Sequence, residues 1–316
     1  MPEAARRVRV GLIGYGHVGR HHARLLSESP DVELVWIADL DSTRAEEGAA
    51  AHHATASTDA PGVLDQVDAV VVAVPTEAHA DVALSCVNRG VSVLVEKPMA
   101  SSVAEADRLI EAASRSGALL AVGHTERFNP AVAAAVPLVT EPKFIEVHRL
   151  GSFPERSLDI DVVFDVMIHD LDIVLSMVPS AVASLDAVGV AVLTDRVDIA
   201  NVRLRFESGC IANLTASRIS RDRVRKIRWF QHDAYVSIDY AQQELEHWRL
   251  VRRDGQIPVI EGGRVPVPHA EPLGRELADF VAAVRERRAP LVDGAAGRRA
   301  LVLAQTITEQ IEAGRR

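Results

Sequence analysis

Through the first 125 residues, short apolar runs alternate with longer stretches in which apolar residues recur every three or four positions. VRVGLI (8–13), VELVWIAD (32–39), DAVVVAV (68–74), VSVLVE (91–96) and ALLAVG (118–123) are the strand-like runs. HVGRHHARLLSES (17–29), DSTRAEEGAAAHH (41–53), EAHADVALSCVNRG (77–90) and VAEADRLIEAASRSG (103–117) carry the helical period, and Gly90 and Gly117 stop two of these helices. A strand covered on both faces loses the alternation of polar and apolar residues. The pattern therefore predicts an α/β domain with a doubly wound parallel sheet between two helix layers.

After residue 125 the period changes. KFIEVHRL (143–150) reads as a strand, and AVASLDAVGVAVL, DIANVRLRFES, GCIANLTASRIS, VRKIRWFQ, AYVSIDY and QELEHWRLV follow with little helix between them. They predict an α+β domain with an open, mainly antiparallel sheet covered by helix on one face. Val202, Leu204 and Phe206 share one face, and the alternation continues through Ile211, Asn213 and Thr215. The sheet is too broad for one helix pair to cover. Its exposed face predicts a homodimer or homotetramer joined through it. GRELADFVAAVRER and GRRALVLAQTITEQIEA close the chain as helices. The expected division is 1–125, 126–270 and a pair of C-terminal helices, 271–316, packing back on the first domain. The passage between the two domains falls near 129–142.

DVVFDVMIHDLDIVLSM (161–177) reads as one continuous helix. Residues four apart stack one turn above another, which puts Asp161, Asp165 and His169 on one face, with Asp172 three residues on. Val163, Phe164, Met167, Ile168, Leu171, Val174 and Leu175 fill much of the remaining surface. A carboxylate or imidazole beside such a surface is costly unless it is paired or used. The stripe is either satisfied by caps and salt bridges or is part of a site. A zinc site lacks a cysteine or second histidine to complete it, so no metal is expected.

The sharpest local signal is GLIGYGHVGRHHARLL. Gly14, Gly16 and Gly19 have the G-x-G-x-x-G spacing, follow the first strand and open a helix, with Tyr15, His17 and Val18 completing the turn. Asp39 ends the second strand, about 20 residues on, as a dinucleotide site requires. Gly14 permits the tight turn, Gly16 the approach of a pyrophosphate and Gly19 close helix–strand packing. The helix N-terminus offers N–H groups to the phosphates. Asp39 would accept hydrogen bonds from the ribose hydroxyls and repel a 2′-phosphate, which predicts NAD, while Arg44 nearby keeps NADP possible. VSVLVEKPMA places Glu96, Lys97 and Pro98 at the C-terminal end of a parallel strand, where open α/β sheets bind ligands. On position alone Lys97 is either a solvated lysine or a ligand-facing one.

Composition narrows the function. With 48% hydrophobic residues in 316, the chain can bury a sizeable core, and its formal net charge of −9 argues against a general nucleic-acid or anionic-membrane binder. Cys86 and Cys210 are the only cysteines, far apart, which fits a reducing cytoplasm and leaves no disulfide framework. The N-terminus lacks the apolar segment of a signal peptide, and AVVVAVP is too short to span a bilayer. One basic cluster stands out: Arg218, Arg221, Arg223, Arg225, Lys226 and Arg228. It would suit a diphosphate, or it is a solvated strand and turn paired with acids.

Taken together, the glycine loop, V-P-T-x-x-H at 74–79, E-K-P at 96–98 and D-x-x-x-H at 165–169 resemble the Gfo/Idh/MocA family over essentially the whole length. The family is named for glucose–fructose oxidoreductase, inositol dehydrogenase and a rhizopine-catabolism protein. The resemblance implies a Rossmann domain joined to an open-sheet domain, with the active site between them, and a nicotinamide-dependent oxidation or reduction of a sugar or cyclitol carbon. It implies Lys97, Asp165 and His169 as the catalytic set. Lys97 would also touch the nicotinamide ribose beside Glu96. Pro75, Thr76 and His79 would border the cofactor, and Arg127 with Asp165 and His169 would meet the substrate. His169 suits a base near neutrality. DVMIHDLDIVLSM, GHTERFNPAV and the stretch from Ala216 to Tyr240 further resemble a subgroup acting on C3 of a nucleotide sugar such as UDP-N-acetylglucosamine. Two other readings are an inositol or simple-sugar dehydrogenase and a non-catalytic NAD-binding sensor. The intact Lys97, Asp165 and His169 speak against the sensor.

Overall fold

A computed structural model describes residues 6–153, 160–254 and 256–314. The chain divides into two compact units. The first runs to Thr125 and includes Leu273–Leu301; the second holds Glu126–Pro272 and the chain from Val302 onward.

The first unit alternates strand and helix as β1 (Val8–Ile13), α1 (His17–Glu28), β2 (Val32–Ala38), α2 (Ser42–His52), β3 (Thr55–Ser57), β4 (Ala69–Val72), α3 (Thr76–Val87), β5 (Ser92–Glu96), α4 (Val103–Ser116) and β6 (Leu120–Gly123). The strands form one parallel sheet in the order β3-β2-β1-β4-β5-β6. The order reverses between β1 and β4, the topological switch point at which such sheets bind ligands. All four residues of β4 are buried, as the unbroken apolar run requires. The short β3 escaped the sequence pattern because three residues carry too little periodicity to register. Ser102 caps α4 by accepting the Glu105 N–H, and Asp41 caps α2 by accepting from Thr43 and Arg44.

The second unit follows as α5 (Pro130–Ala135), β7 (Pro142–Leu150), a π-helical turn (Val163–Met167), α6 (Ile168–Met177), β8 (Val182–Val190), β9 (Ile199–Phe206), β10 (Ile211–Ser217), β11 (Val224–Gln231), β12 (Ala234–Asp239), β13 (Glu244–Val251) and β14 (Val259–Val265). These strands form one eight-stranded sheet, β14-β13-β12-β11-β7-β10-β9-β8. Only the central β7–β10 pair is parallel. Val202, Leu204 and Phe206 of β9 point inward with Ala212, Leu214 and Ala216 of β10, Ile227 and Trp229 of β11, and Val236 and Ile238 of β12. Asn201, Arg203, Ile211, Asn213 and Thr215 lie on the opposite, more open face.

The chain closes with α7 (Pro272–Glu286) and α8 (Gly294–Gly314). Both were expected to pack on the first unit. Residues Leu273–Leu301 fall in the first unit, whereas the rest of α8 belongs to the second, where Gln310 donates to the Leu185 carbonyl of β8. No helix among the described residues is long and apolar enough to cross a membrane.

Candidate active site

Strand β1 ends where the glycine loop begins. Gly14 has a φ of +94°, and a Cβ there would lie 2.4 Å from the Ala73 carbonyl oxygen beyond β4. A Cβ on Gly19 would come 1.9 Å from the Gly14 oxygen, so both positions admit only glycine. Gly16, by contrast, has nothing within 4 Å of where its Cβ would be, and it caps α1 without a side-chain hydrogen bond. An open cradle of backbone N–H groups at a helix N-terminus fits a pyrophosphate. His17 and Val18 are exposed at the tip, but Tyr15 is buried. The Tyr15 ring lies against Gly48 of α2, beneath the Arg20 guanidinium, 4.6 Å from the ring centroid.

Asp39 follows β2 and is held ready. Its Oδ2 accepts the Tyr15 N–H at 2.8 Å and its Oδ1 the Asp41 N–H at 2.9 Å. Arg44 stands 3.8 Å from Asp39 and is bound more closely, at 3.1 Å, by Asp41. The residues present thus fit a dinucleotide with free ribose hydroxyls.

The Glu96–Lys97–Pro98 turn leaves β5 at the same end of the sheet, and its Lys97–Pro98 peptide bond is cis. Lys97 is half-buried. Glu96 turns toward α1. Its Oε1 lies 2.7 Å from Nε2 of the buried His22 on α1, and its Oε2 accepts the Lys97 N–H at 3.2 Å. Burial pushes the Glu96 carboxyl up, but His22 and Lys97 outweigh burial and hold it below the usual carboxylate range. His79 likewise turns inward. Its Nδ1 lies 2.7 Å from the Pro98 carbonyl and its Nε2 2.9 Å from that of Val74. Pro75 is exposed and Thr76 half-buried at the start of α3.

In the second unit, the helix expected to be continuous from Asp161 begins instead with a π turn. The Ile168 N–H reaches back five residues to the Val163 carbonyl. Such bulges recur at functional sites. Asp161 is an anchor. Its carboxylate accepts the Val197 N–H at 2.9 Å, and its carbonyl accepts the N–H groups of Phe164 and Asp165. Asp165 and His169 are half-buried, and Nδ1 of His169 is inside the protein. Asp172 is buried beside Arg127, whose Nη1 lies 3.4 Å from it.

Two ionic nodes that sequence reasoning missed hold this helix. Arg149 of β7 grips Asp170 with two bonds, 2.7 and 2.9 Å, and Glu126 with a third of 2.9 Å. Its guanidinium also lies over the Tyr240 ring. Burial works against the Arg149 charge, yet Asp170 and Glu126 raise its pKa further. Burial keeps the Asp170 carboxyl above the usual range in spite of Arg149, and Glu126 adds to the rise. The second node is Asp198, which accepts the N–H groups of Val192, Leu193 and Thr194 at 2.7–2.9 Å and the Arg218 Nε–H at 2.9 Å. Arg218 also donates to the Ile160 carbonyl at 2.6 Å, just before the π turn. The signal was present in part: Asp170 lies between Ile168 and Leu171, both buried, where only a paired carboxylate is tolerated.

The basic cluster does not act as a unit. Arg218 is buried in the Asp198 node, Lys226 pairs with Asp239 and Arg228 with Glu146, and Arg223 meets the Ser152 hydroxyl. Among the described residues no group of three or more His, Cys, Asp or Glu could hold a metal ion. Cys86 and Cys210 are buried free thiols, each pushed up to about 11 by burial.

Comparison with known proteins places this geometry. Residues 8–124 match the family described as the GFO/IDH/MocA oxidoreductase family with NAD-binding Rossmann fold, and residues 145–232 match its C-terminal domain. The UDP-N-acetylglucosamine 3-dehydrogenase of Acidithiobacillus ferrooxidans is 37% identical over 310 residues, spanning 97% of this chain and 98% of that one. Its solved structure superposes with a TM-score of 0.91, at 36% identity and the same coverage. An inositol 2-dehydrogenase of Rhizobium meliloti is 26% identical over 96% of this chain and 97% of its own. A levoglucosan dehydrogenase complexed with NADH, 19% identical with a TM-score of 0.86, shares the fold.

Proposed function

Since this chain belongs to the Gfo/Idh/MocA family of NAD-binding Rossmann-fold oxidoreductases and acts on CH–OH groups, we propose that it oxidises C3 of a nucleotide sugar, UDP-N-acetylglucosamine. The observation that carries this choice is the end-to-end likeness to the Acidithiobacillus enzyme of that name, at 37% identity. Gly14, Gly16 and Gly19 with the tip of α1 would hold the pyrophosphate, Asp39 the adenosine ribose, and Pro75 and Thr76 the border of the nicotinamide half. NAD, when bound, accepts the hydride of the carbinol carbon. The chain must take the hydroxyl proton and settle the oxygen. His169 takes the proton on Nε2, since its Nδ1 is buried. Nζ of Lys97 stabilises the developing alkoxide, and Asp165 orients the substrate or the imidazole. Arg127, half-buried against Asp172, contacts the substrate.

The open face of the second sheet is read as the surface of a homodimer or homotetramer. It carries the mutually tilted rings of Phe144, Phe230 and Tyr235, with centroids 5.6 and 5.3 Å apart. Phe230→Glu should then release monomers in light scattering, and unchanged mass would dismiss this face. The two buried thiols fit a reducing cytoplasm.

The deciding experiment follows NADH formation with purified protein and NAD. UDP-N-acetylglucosamine should be turned over and yield a 3-keto sugar. Oxidation of myo-inositol in its place would favour the inositol reading that the Rhizobium relative supports. Bound NAD without turnover of any sugar would favour a sensor.

A further inference from the structure

Two buried histidines outside the proposed catalytic set meet the turn that carries Lys97. His22 lies on the inner face of α1 with Gly19, Ala23 and Leu26, at a position where an apolar residue would ordinarily pack. Its partner explains the imidazole. A carboxylate can only accept, so the proton lies on Nε2 and is donated to Glu96 Oε1 at 2.7 Å. Nδ1 is buried with no hydrogen-bond partner among the described residues. The space for the carboxylate depends on Gly123 of β6, where a Cβ would stand 3.0 Å from Oε2 and 3.2 Å from the Glu96 Cα. The carboxylate's other oxygen takes the backbone N–H of Lys97 itself. On the following side, Nδ1 of His79 on α3 lies 2.7 Å from the Pro98 carbonyl oxygen and Nε2 2.9 Å from that of Val74, and with its one proton on Nδ1 the neutral ring donates to Pro98. Met99 and Ala100 beyond are buried.

We propose that His22 and His79 are positioning residues for Lys97, gripping the chain one residue before and one residue after it. The proposal rests on the reading of Lys97 as the group that meets the reacting oxygen. A lysine side chain is a flexible stem, and where its head can reach depends on where the fold sets its root. A displacement of about 1 Å in such a group can cost about 100-fold in rate. The His22–Glu96 bond also ties the Lys97 turn to α1, the helix that opens at the glycine loop.

The test uses amides that copy one imidazole nitrogen at a time. Glutamine places its amide near the position of Nε2 and asparagine near that of Nδ1. His22→Gln should therefore keep the bond to Glu96, and His22→Asn should lose it. At position 79 the order reverses: His79→Asn keeps Pro98, and His79→Gln keeps only Val74. Expected are kcat losses of about 10- to 100-fold on UDP-N-acetylglucosamine in His22→Asn and His79→Gln, as for supporting partners of an active group. Most of the turnover should return in His22→Gln and His79→Asn, and NAD affinity by calorimetry should stay unchanged in all four. The losses should vanish when the substitutions are repeated in Lys97→Met. Equal losses in that background, or indistinguishable asparagine and glutamine variants, would overturn the proposal. If Lys97→Met alone leaves turnover intact, or the sugar is not a substrate, the reading of Lys97 or of the reaction has failed instead. Hydrogen exchange at the Lys97 amide then decides whether the grip exists. It should quicken in His22→Asn and His79→Gln only, and equal protection in all four variants discards the grip.

Discussion

The turn carrying Lys97 and the helix carrying His169 are secured by different chemistry. Around Lys97 the ties are imidazoles set within hydrogen-bond distance of one carboxylate and of backbone carbonyls. Around His169 they are buried guanidinium–carboxylate nodes, Arg149 with Asp170 and Glu126, and Arg218 with Asp198. A strand end is already fixed by its sheet, so the Lys97 turn needs only local pinning, worth about 0.5–1.5 kcal/mol for a bond to a carbonyl and about 1.5–3 kcal/mol for the bond to Glu96. A helix entered through a π turn has no such ladder at its start. It is held by charges that cannot be left unpaired, and removing one partner of a buried ion pair costs about 3–5 kcal/mol. The first region should therefore lose activity before stability, and the second both together.

The largest expected effect strips the chemistry from each region in turn. Lys97→Met and His169→Ala should each lower turnover by roughly 100- to 10,000-fold with NAD binding nearly intact. The rate of the wild type should rise through a group titrating near neutrality, and that limb should be missing in His169→Ala. Near-wild-type turnover in either variant would remove that residue from the mechanism.

Next in size is the contrast in stability. Arg149→Met leaves the buried Asp170 carboxylate and the half-buried Glu126 without their common partner, and chemical denaturation should register a loss of about 3–5 kcal/mol. His22→Asn should lose less, about 1.5–3 kcal/mol, the range for a hydrogen bond to a charged group. Equal losses would erase the distinction between the two regions.

A smaller effect follows pH. Burial pushes the Asp198 carboxyl up, but the N–H groups of Leu193, Thr194 and Val192 outweigh burial and hold it well below the usual carboxylate range. The unfolded chain takes up the proton first, at about pH 3.9. The contribution of Asp198 is therefore complete above that value and declines as pH falls toward the folded pKa. The stability gap between wild type and Asp198→Asn should narrow on acidification below about pH 5. A gap that widens would reverse the assigned sign.

The smallest effect lies on the open sheet. Arg228 pairs with Glu146 at 2.7 Å, but both side chains are about one-third exposed: 37% and 32%. Arg228→Ala should change monomer stability by no more than about 1 kcal/mol. Any larger loss measured alongside a change in mass would belong to assembly, not to the pair.

The sequence by itself determined what backbone periodicity and glycine can encode. Unbroken apolar runs between amphipathic helices defined the parallel sheet, because a strand's burial is written in consecutive side chains. Gly14 and Gly19 were legible as a dinucleotide turn because the demand for no Cβ is local. Lys97 was legible as the residue after β5, and Asp39 as the one after β2. Only the tertiary structure decided where the polar side chains of the core find partners. His22 meets Glu96 across 74 residues, Arg149 meets Asp170 across 21, and Asp161 meets Val197 across 36. Nothing in the spacing of such residues specifies the pairing, because a hydrogen bond depends on distance in space and not along the chain. The π turn is of the same kind. D-x-x-x-H reads as plain α-helix in the sequence, and the five-residue bond from Ile168 to Val163 arises where Asp161 is tied to Val197 and Ile160 to Arg218.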